Sequence, residues 1–252
     1  WFEKKKTPLV GERVSVFSDR RELEPDKDAA SINITLPAPV ANDSWPQSGG
    51  FANHAMEHLE IGPSPQVLWT ADVGAGTSSS RILTAGPVVA EGKVFVTTPF
   101  AKVLALDETS GKKVWEVDAP SPMRAPPAVS DGRVFTVTID NQLVVYATDD
   151  GRRLWSNTGV EEAAGFLGGA TPAVLGDVVV AAYTSGDLLA FDVVTGRTLW
   201  SDNLAGRTGG NAVAALTDIR GRPVIDRDRA IAIGNGGVMA AIDLHRGGRL
   251  WD

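Results

Sequence analysis

The sequence predicts an all-β fold built from four-stranded antiparallel sheets repeated along the chain. Three observations predict it. A thirteen-residue stretch recurs four times, as "VLALDETSGKKVW" (103–115), "LVVYATDDGRRLW" (143–155), "LLAFDVVTGRTLW" (188–200) and "MAAIDLHRGGRLW" (239–251). Its ninth position is always Gly (Gly111, Gly151, Gly196, Gly247) and its thirteenth always Trp. Upstream of each copy lies a second shared block with Pro in its second position. Pro87 and Trp115, Pro127 and Trp155, Pro172 and Trp200, and Pro223 and Trp251 are all 28 residues apart. Finally, apolar β-rich runs within each segment are separated by pairs such as Glu91-Gly92, Asp131-Gly132 and Gly176-Asp177. Such pairs favour tight hairpins because Gly tolerates positive φ. Four short antiparallel strands recurring every forty to fifty residues or so are the pattern of a β-propeller blade.

The elements follow in order. Residues 1–60 carry no repeat and read as an extended N-terminal segment and linker: a basic lead-in, one alternating stretch at 12–17, a charged run, then the Pro-rich "ITLPAPVANDSWPQSGG". This region is expected to wrap the domain, with one strand helping to close the ring. Residues 61–252 are read as the propeller blades. In each blade the Pro opens the first strand, where a missing N–H costs least. The ninth-position Gly turns the third strand into the outer one, which carries the Trp. Trp69, Trp115, Trp155, Trp200 and Trp251 are expected between blades, since a buried indole supplies roughly 150–250 Å² of contact.

Length varies only between a Trp and the next Pro: 18 residues after Trp69, 12 after Trp115, 17 after Trp155 and 23 after Trp200. These crossing segments, with the loops between second and third strands ("PFAK", "IDNQ", "TSGD", "NGG"), should emerge on one face. Repeat scaffolds build binding surfaces that way, so function is sought there. Asp252 follows Trp251 directly and four repeats stand at the low end of the about 4–8 blades of a closed ring, so the chain is expected to be an incomplete, truncated eight-bladed ring, with a complete four-bladed ring as the alternative.

Composition excludes several classes. A formal charge of −7 without a basic stripe leaves nothing for a phosphate backbone, so nucleic acid is not an expected partner. No cysteine is present, which removes disulfides and thiolate chemistry. No apolar run approaches the ~20 residues needed to cross a bilayer as a helix. His54 and His58 are four apart and could share a helix face, yet they do not form H-E-x-x-H, and a capped surface helix is the expectation there. No catalytic, metal or cofactor site is expected.

The pattern A-x-D-x-x-[TS]-G-x-x-x-W ("ALDETSGKKVW", "AFDVVTGRTLW") resembles the PQQ-like repeat, with Ala147 departing where the other copies have Asp107, Asp192 and Asp243. That repeat builds eight-bladed propellers in quinoprotein dehydrogenases and in BamB-type outer-membrane assembly lipoproteins. The segments "KKKTPLVGERVSVF", "NDSWPQSGGFANHAMEHL" and "VLWTADVGAG" resemble the BamB-type family. The resemblance implies a non-enzymatic scaffold without cofactor, at the periplasmic face of the outer membrane and held there by a lipid anchor preceding this chain. Its implied partners are POTRA domains of a BamA-type barrel-inserting subunit, and unfolded outer-membrane clients. It also implies contact residues in two crossing loops, mapping onto Phe166, Leu167, Gly168, Asp218 and Arg220. A family Arg falls here on Leu167, and a family acidic position on Arg220.

The residues lend their own support to those loops. "GFLGG" sets two bulky apolar side chains among glycines on a polar connection, as an interface anchor does; the same pair could instead fold inward to plug the gap between blades. Two other readings stay open. One is a fragment of a quinoprotein dehydrogenase using pyrroloquinoline quinone and calcium, although the vicinal Cys pair common in those enzymes is absent. The other is a propeller that binds peptides or glycans.

Overall fold

The computed structural model describes residues 32–74, 82–160, 169–205 and 218–252. The chain divides into two units, Trp1–Ala38 and Pro39–Asp252. Of the first, the described residues 32–38 are exposed and form no strand.

Among the described residues of the second unit sixteen strands form four sheets. Blade 1 holds β1 (Val88–Ala90), β2 (Lys93–Thr97), β3 (Lys102–Asp107) and β4 (Lys113–Asp118). Blade 2 holds β5 (Ala128–Ser130), β6 (Arg133–Val137), β7 (Gln142–Ala147) and β8 (Arg153–Thr158). Blade 3 holds β9 (Ala173–Leu175), β10 (Val178–Ala182), β11 (Asp187–Asp192) and β12 (Thr198–Asn203). Blade 4 holds β13 (Val224–Asp226), β14 (Arg229–Ile233), β15 (Met239–Asp243) and β16 (Arg249–Trp251). Each sheet is an antiparallel meander in chain order, and the innermost strands β1, β5, β9 and β13 neighbour one another in that order. The fold is therefore an all-β propeller of four-stranded blades.

Local chemistry explains the strands. Each first strand begins one residue after its Pro, and the turns at Glu91-Gly92 and Asp131-Gly132 take positive φ at both positions. The second and third strands are the most buried; in blades 2 and 3 a neighbouring blade covers each of their faces, and in blade 1 Trp69, Ala71 and Val73 cover one of them. A bulge recurs between third and outer strands, after Ala105, Val145, Ala190 and Ala241. In every blade the residue just before it pairs with the Trp: Ala105 with Trp115, Val145 with Trp155, Ala190 with Trp200 and Ala241 with Trp251.

Four of the Trp are each tied to the next blade. The indole N–H of Trp69 donates to the Glu108 carbonyl at 2.8 Å, that of Trp115 to Thr148 at 2.8 Å, that of Trp155 to Val193 at 3.1 Å and that of Trp200 to Leu244 at 2.6 Å. The accepting residue belongs to the hairpin that holds the ninth-position Gly. A Cβ on Gly111 would lie 2.5 Å from the Trp69 ring, on Gly151 2.8 Å from Trp115, on Gly196 2.6 Å from Trp155 and on Gly247 2.3 Å from the Trp200 Cβ. These glycines have φ of +69° to +73°, so each serves two needs at once: a left-handed turn and a flat seat for the preceding indole.

Residues 45–52 bond to the innermost strands. Trp45 exchanges backbone hydrogen bonds with Val89 of β1, and the Pro46 carbonyl accepts from Val129 of β5. The Gln47 side chain donates to the Val174 carbonyl of β9 at 2.7 Å and accepts from its N–H at 2.9 Å. The Ala52 carbonyl accepts from Ile225 of β13. Residues 45–52 thus visit the free inner edge of every blade in turn and satisfy backbone groups that an open edge would leave exposed.

The expected helix at 54–58 does not form. Those residues form no regular element, and no helix occurs among the described residues. His54 has φ +51° and its ring sits over Gly49, where a Cβ would come within 2.9 Å. Packing into the axial segment replaces helical periodicity there.

Candidate functional site: the crossing-loop face

Two ends of the blades differ in kind. At one end the β1–β2 and β3–β4 turns of the same blade bond to each other: Glu108 to Gly92, Thr148 to Gly132, Val193 to Asp177 and Leu244 to Asp228. These turns are short and of fixed length. Three of them are capped by the fifth-position Asp. Asp107 accepts from the Ser110 hydroxyl and N–H at 2.6 and 2.7 Å, Asp192 from Thr195 and Val194, and Asp243 from Arg246 and His245. The Ser110 bonds hold the Asp107 carboxyl below its ordinary range, the Thr195 bonds do so for Asp192, and the Arg246 backbone bond does so for Asp243.

At the other end the crossing segments meet the β2–β3 turns. Ala119 and Met123 donate to Ala101 and Thr98, Gly159 to Asn141, Leu204 to Gly186, Ile219 to Tyr183, and Asn235 to the Asp218 carbonyl. Asn141 is a hub on this face. It is buried at positive φ, its amide donates to Val160 at 2.6 Å, and its side-chain oxygen accepts from both the N–H and the hydroxyl of Thr184 in blade 3. Sequence reading passed over it; an Asn before a strand reads as ordinary turn chemistry.

Phe166, Leu167 and Gly168 lie outside the described residues. Asp218 and Arg220 lie within them and differ sharply. Asp218 is 1% exposed, and its carbonyl anchors the β14–β15 turn through Asn235. Arg220 is exposed on the same face. Among the described residues no three His, Cys, Asp or Glu side chains gather as a metal site.

Indole-linked four-stranded blades, arranged about inner strands and displaying their irregular connections at one end, define a repeat β-propeller scaffold. A family model described as the outer membrane protein assembly factor BamB matches residues 62–252. The chain belongs to that family. Among curated relatives, the BamB of Nitrosomonas eutropha is 27% identical over 189 residues, which cover 74% of this chain and 36% of that protein. The crystal structure of BamB from Moraxella catarrhalis aligns with a TM-score of 0.62 at 23% identity, over 69% of this chain and 54% of that one. Quinohemoprotein alcohol dehydrogenase from Comamonas testosteroni aligns with a TM-score of 0.64 at 15% identity, over 82% of this chain and 40% of that one. At such identities the structural likeness speaks to the fold. The chain spans half or less of the length of the curated relatives it matches.

Proposed function

We propose that this chain is a non-enzymatic scaffold of the outer-membrane β-barrel assembly machinery. It docks through its crossing-loop face onto POTRA domains of a BamA-type subunit. It works at the periplasmic face of the outer membrane, held by a lipid anchor that precedes this chain, and unfolded outer-membrane proteins are its further partners. The observation that carries this reading is the family match over residues 62–252. The meeting of the described parts of the variable connections with the β2–β3 turns at one end of the blades supports it, because a docking surface needs adaptable loops on a rigid frame.

Within that surface Phe166, Leu167 and Gly168 supply the apolar contact and Arg220 the charged one. Asp218 acts from beneath, seating the loop through its main chain. A pull-down with purified POTRA fragments tests this assignment. Phe166→Ala/Leu167→Ala should weaken capture by ~10-fold or more, and Arg220→Ala by less, as expected for a central anchor and a rim charge. Unchanged capture by both variants would remove the site. Calcium-dependent retention of a quinone through purification would instead point to the dehydrogenase reading.

A further inference from the structure

The repeat places equivalent residues around the inner end of the crossing-loop face. Three positions before each repeat Pro stand Thr84, Arg124, Gly169 and Arg220. One position before stand Gly86, Pro126, Thr171 and Arg222. All of these but Thr171, with Ser48 of the axial segment, line one cavity of about 390 Å³. Each blade therefore contributes to it, at the points where the chain enters β1, β5, β9 and β13.

Its shape follows from the alternation of large and absent side chains. Blade 2 sends in Arg124, and blade 4 sends Arg220 and Arg222. Between them Gly169 has no side chain, and Gly86 in blade 1 faces open space, with nothing within 4 Å of a Cβ built there. Three long cations thus border a gap that small residues keep open.

Its charge is out of character for the chain. The protein carries a formal charge of −7, yet among the described residues no Asp or Glu lines the cavity. Arg124 is half-buried, and neither it nor Arg222 has a salt-bridge partner among the described residues. The field reaches outward too: burial, and then the Arg222 charge, hold the nearby His54 imidazole below its ordinary value of 6.5. Gathering like charges at one cavity is unfavourable unless a counter-charge joins them. The planar guanidinium fork fits a carboxylate through two parallel hydrogen bonds.

We propose that the axial cavity bordered by Arg124, Arg220 and Arg222 is a carboxylate-binding site that receives an acidic segment of a protein lying across the crossing-loop face. The cavity has room for a projecting side chain, which would reach past the exposed Arg220 and Arg222 to the half-buried Arg124. The docking reading above supplies the source of the segment; the cavity chemistry stands apart from it.

The test uses the full chain and a labelled peptide of alternating Glu and Gly, compared with its Gln counterpart. Inorganic phosphate and phosphatidylcholine vesicles containing phosphatidylglycerol serve as the other anion sources. The acidic peptide should bind and the Gln peptide should not, with affinity falling as salt rises. Arg124→Gln and Arg222→Gln should each weaken binding by ~10-fold or more, while Arg124→Lys retains part of it. Unfolding midpoints measured in parallel should stay at the wild-type value, since both side chains lie at the cavity wall. Equal binding of the two peptides, undiminished binding by Arg124→Gln, or binding of phosphate or vesicles without the peptide would each overturn the proposal. POTRA capture is measured on the same variants. Peptide binding without POTRA capture would leave the cavity and remove the docking partner. POTRA capture without peptide binding would do the reverse.

Discussion

The boundaries between blades and the two ends of the blade series use the same residue and obtain different results from it. At the interior boundaries Trp115 and Trp200 are 9% and 7% exposed, and each indole lies on the ninth-position Gly of the following blade. Trp251 occupies the same repeat position on β16 and is 45% exposed. At the opposite end residues 66–73 copy an outer strand, "QVLWTADV". Trp69, Ala71 and Val73 pack on Val94, Val96 and Leu106, while Val67 and Leu68 are 84% and 87% exposed. That stretch pairs with no strand among the described residues. Where a Gly hairpin of the following blade lies beneath an indole the ring is covered, and the repeat position alone does not bury it.

The sharpest way to break this comparison is to remove one indole from each setting. Trp200→Ala should cost ~3–5 kcal/mol in urea unfolding, through lost burial and an unanswered Leu244 carbonyl. Trp251→Ala should cost less than ~0.5 kcal/mol. Similar losses in both would show that the boundary is not what stabilises the blade. Next in size is Gln47→Ala, expected at ~2–4 kcal/mol because it strips both bonds from the buried Val174 peptide groups. A loss confined to fractions of a kcal/mol would mean that the axial segment is merely laid on the inner edges.

The glycines separate turn strain from indole contact. Gly196→Ala introduces both, whereas Gly176 has φ +59° with nothing within 4 Å of a Cβ. Gly196→Ala should cost ~2–4 kcal/mol and Gly176→Ala only ~1 kcal/mol; equal values would assign the whole cost to backbone conformation.

The smallest effect concerns the capped turns. Asp107, Asp192 and Asp243 have folded-state pKa values lowered from 3.8, so each favours the fold at neutral pH. That contribution is lost as pH falls below 3.8 and through the lowered value. Asp192→Ala should therefore lower the urea midpoint slightly at pH 7, and the gap to wild type should close on acidification. A gap that persists in acid would trace to something other than the carboxylate.

How much of this was legible depends on the range of the interaction. The blades were legible because a strand's period, a Pro, a Gly turn and a Trp all lie within 28 residues of one another. Their spacing alone implies four strands and the end at which variable loops emerge. The crossing-loop end of the blades was legible as a place, through loop lengths, while the side chains packed there were not. "TDIR" puts Asp218 and Arg220 two residues apart, yet the packing against Tyr183 and Asn235 buries one and exposes the other.

The axial partners were not legible at all. Gln47 meets Val174 across 127 residues, and Arg124 meets Arg220 and Arg222 only because successive blades turn about a shared inner edge. A repeat motif records what each unit needs to form its own sheet and seat the preceding indole, since those contacts are short-range or recur at a fixed offset. What gathers where all the units converge recurs at no offset and leaves no period in the chain, so only the assembled propeller decides it.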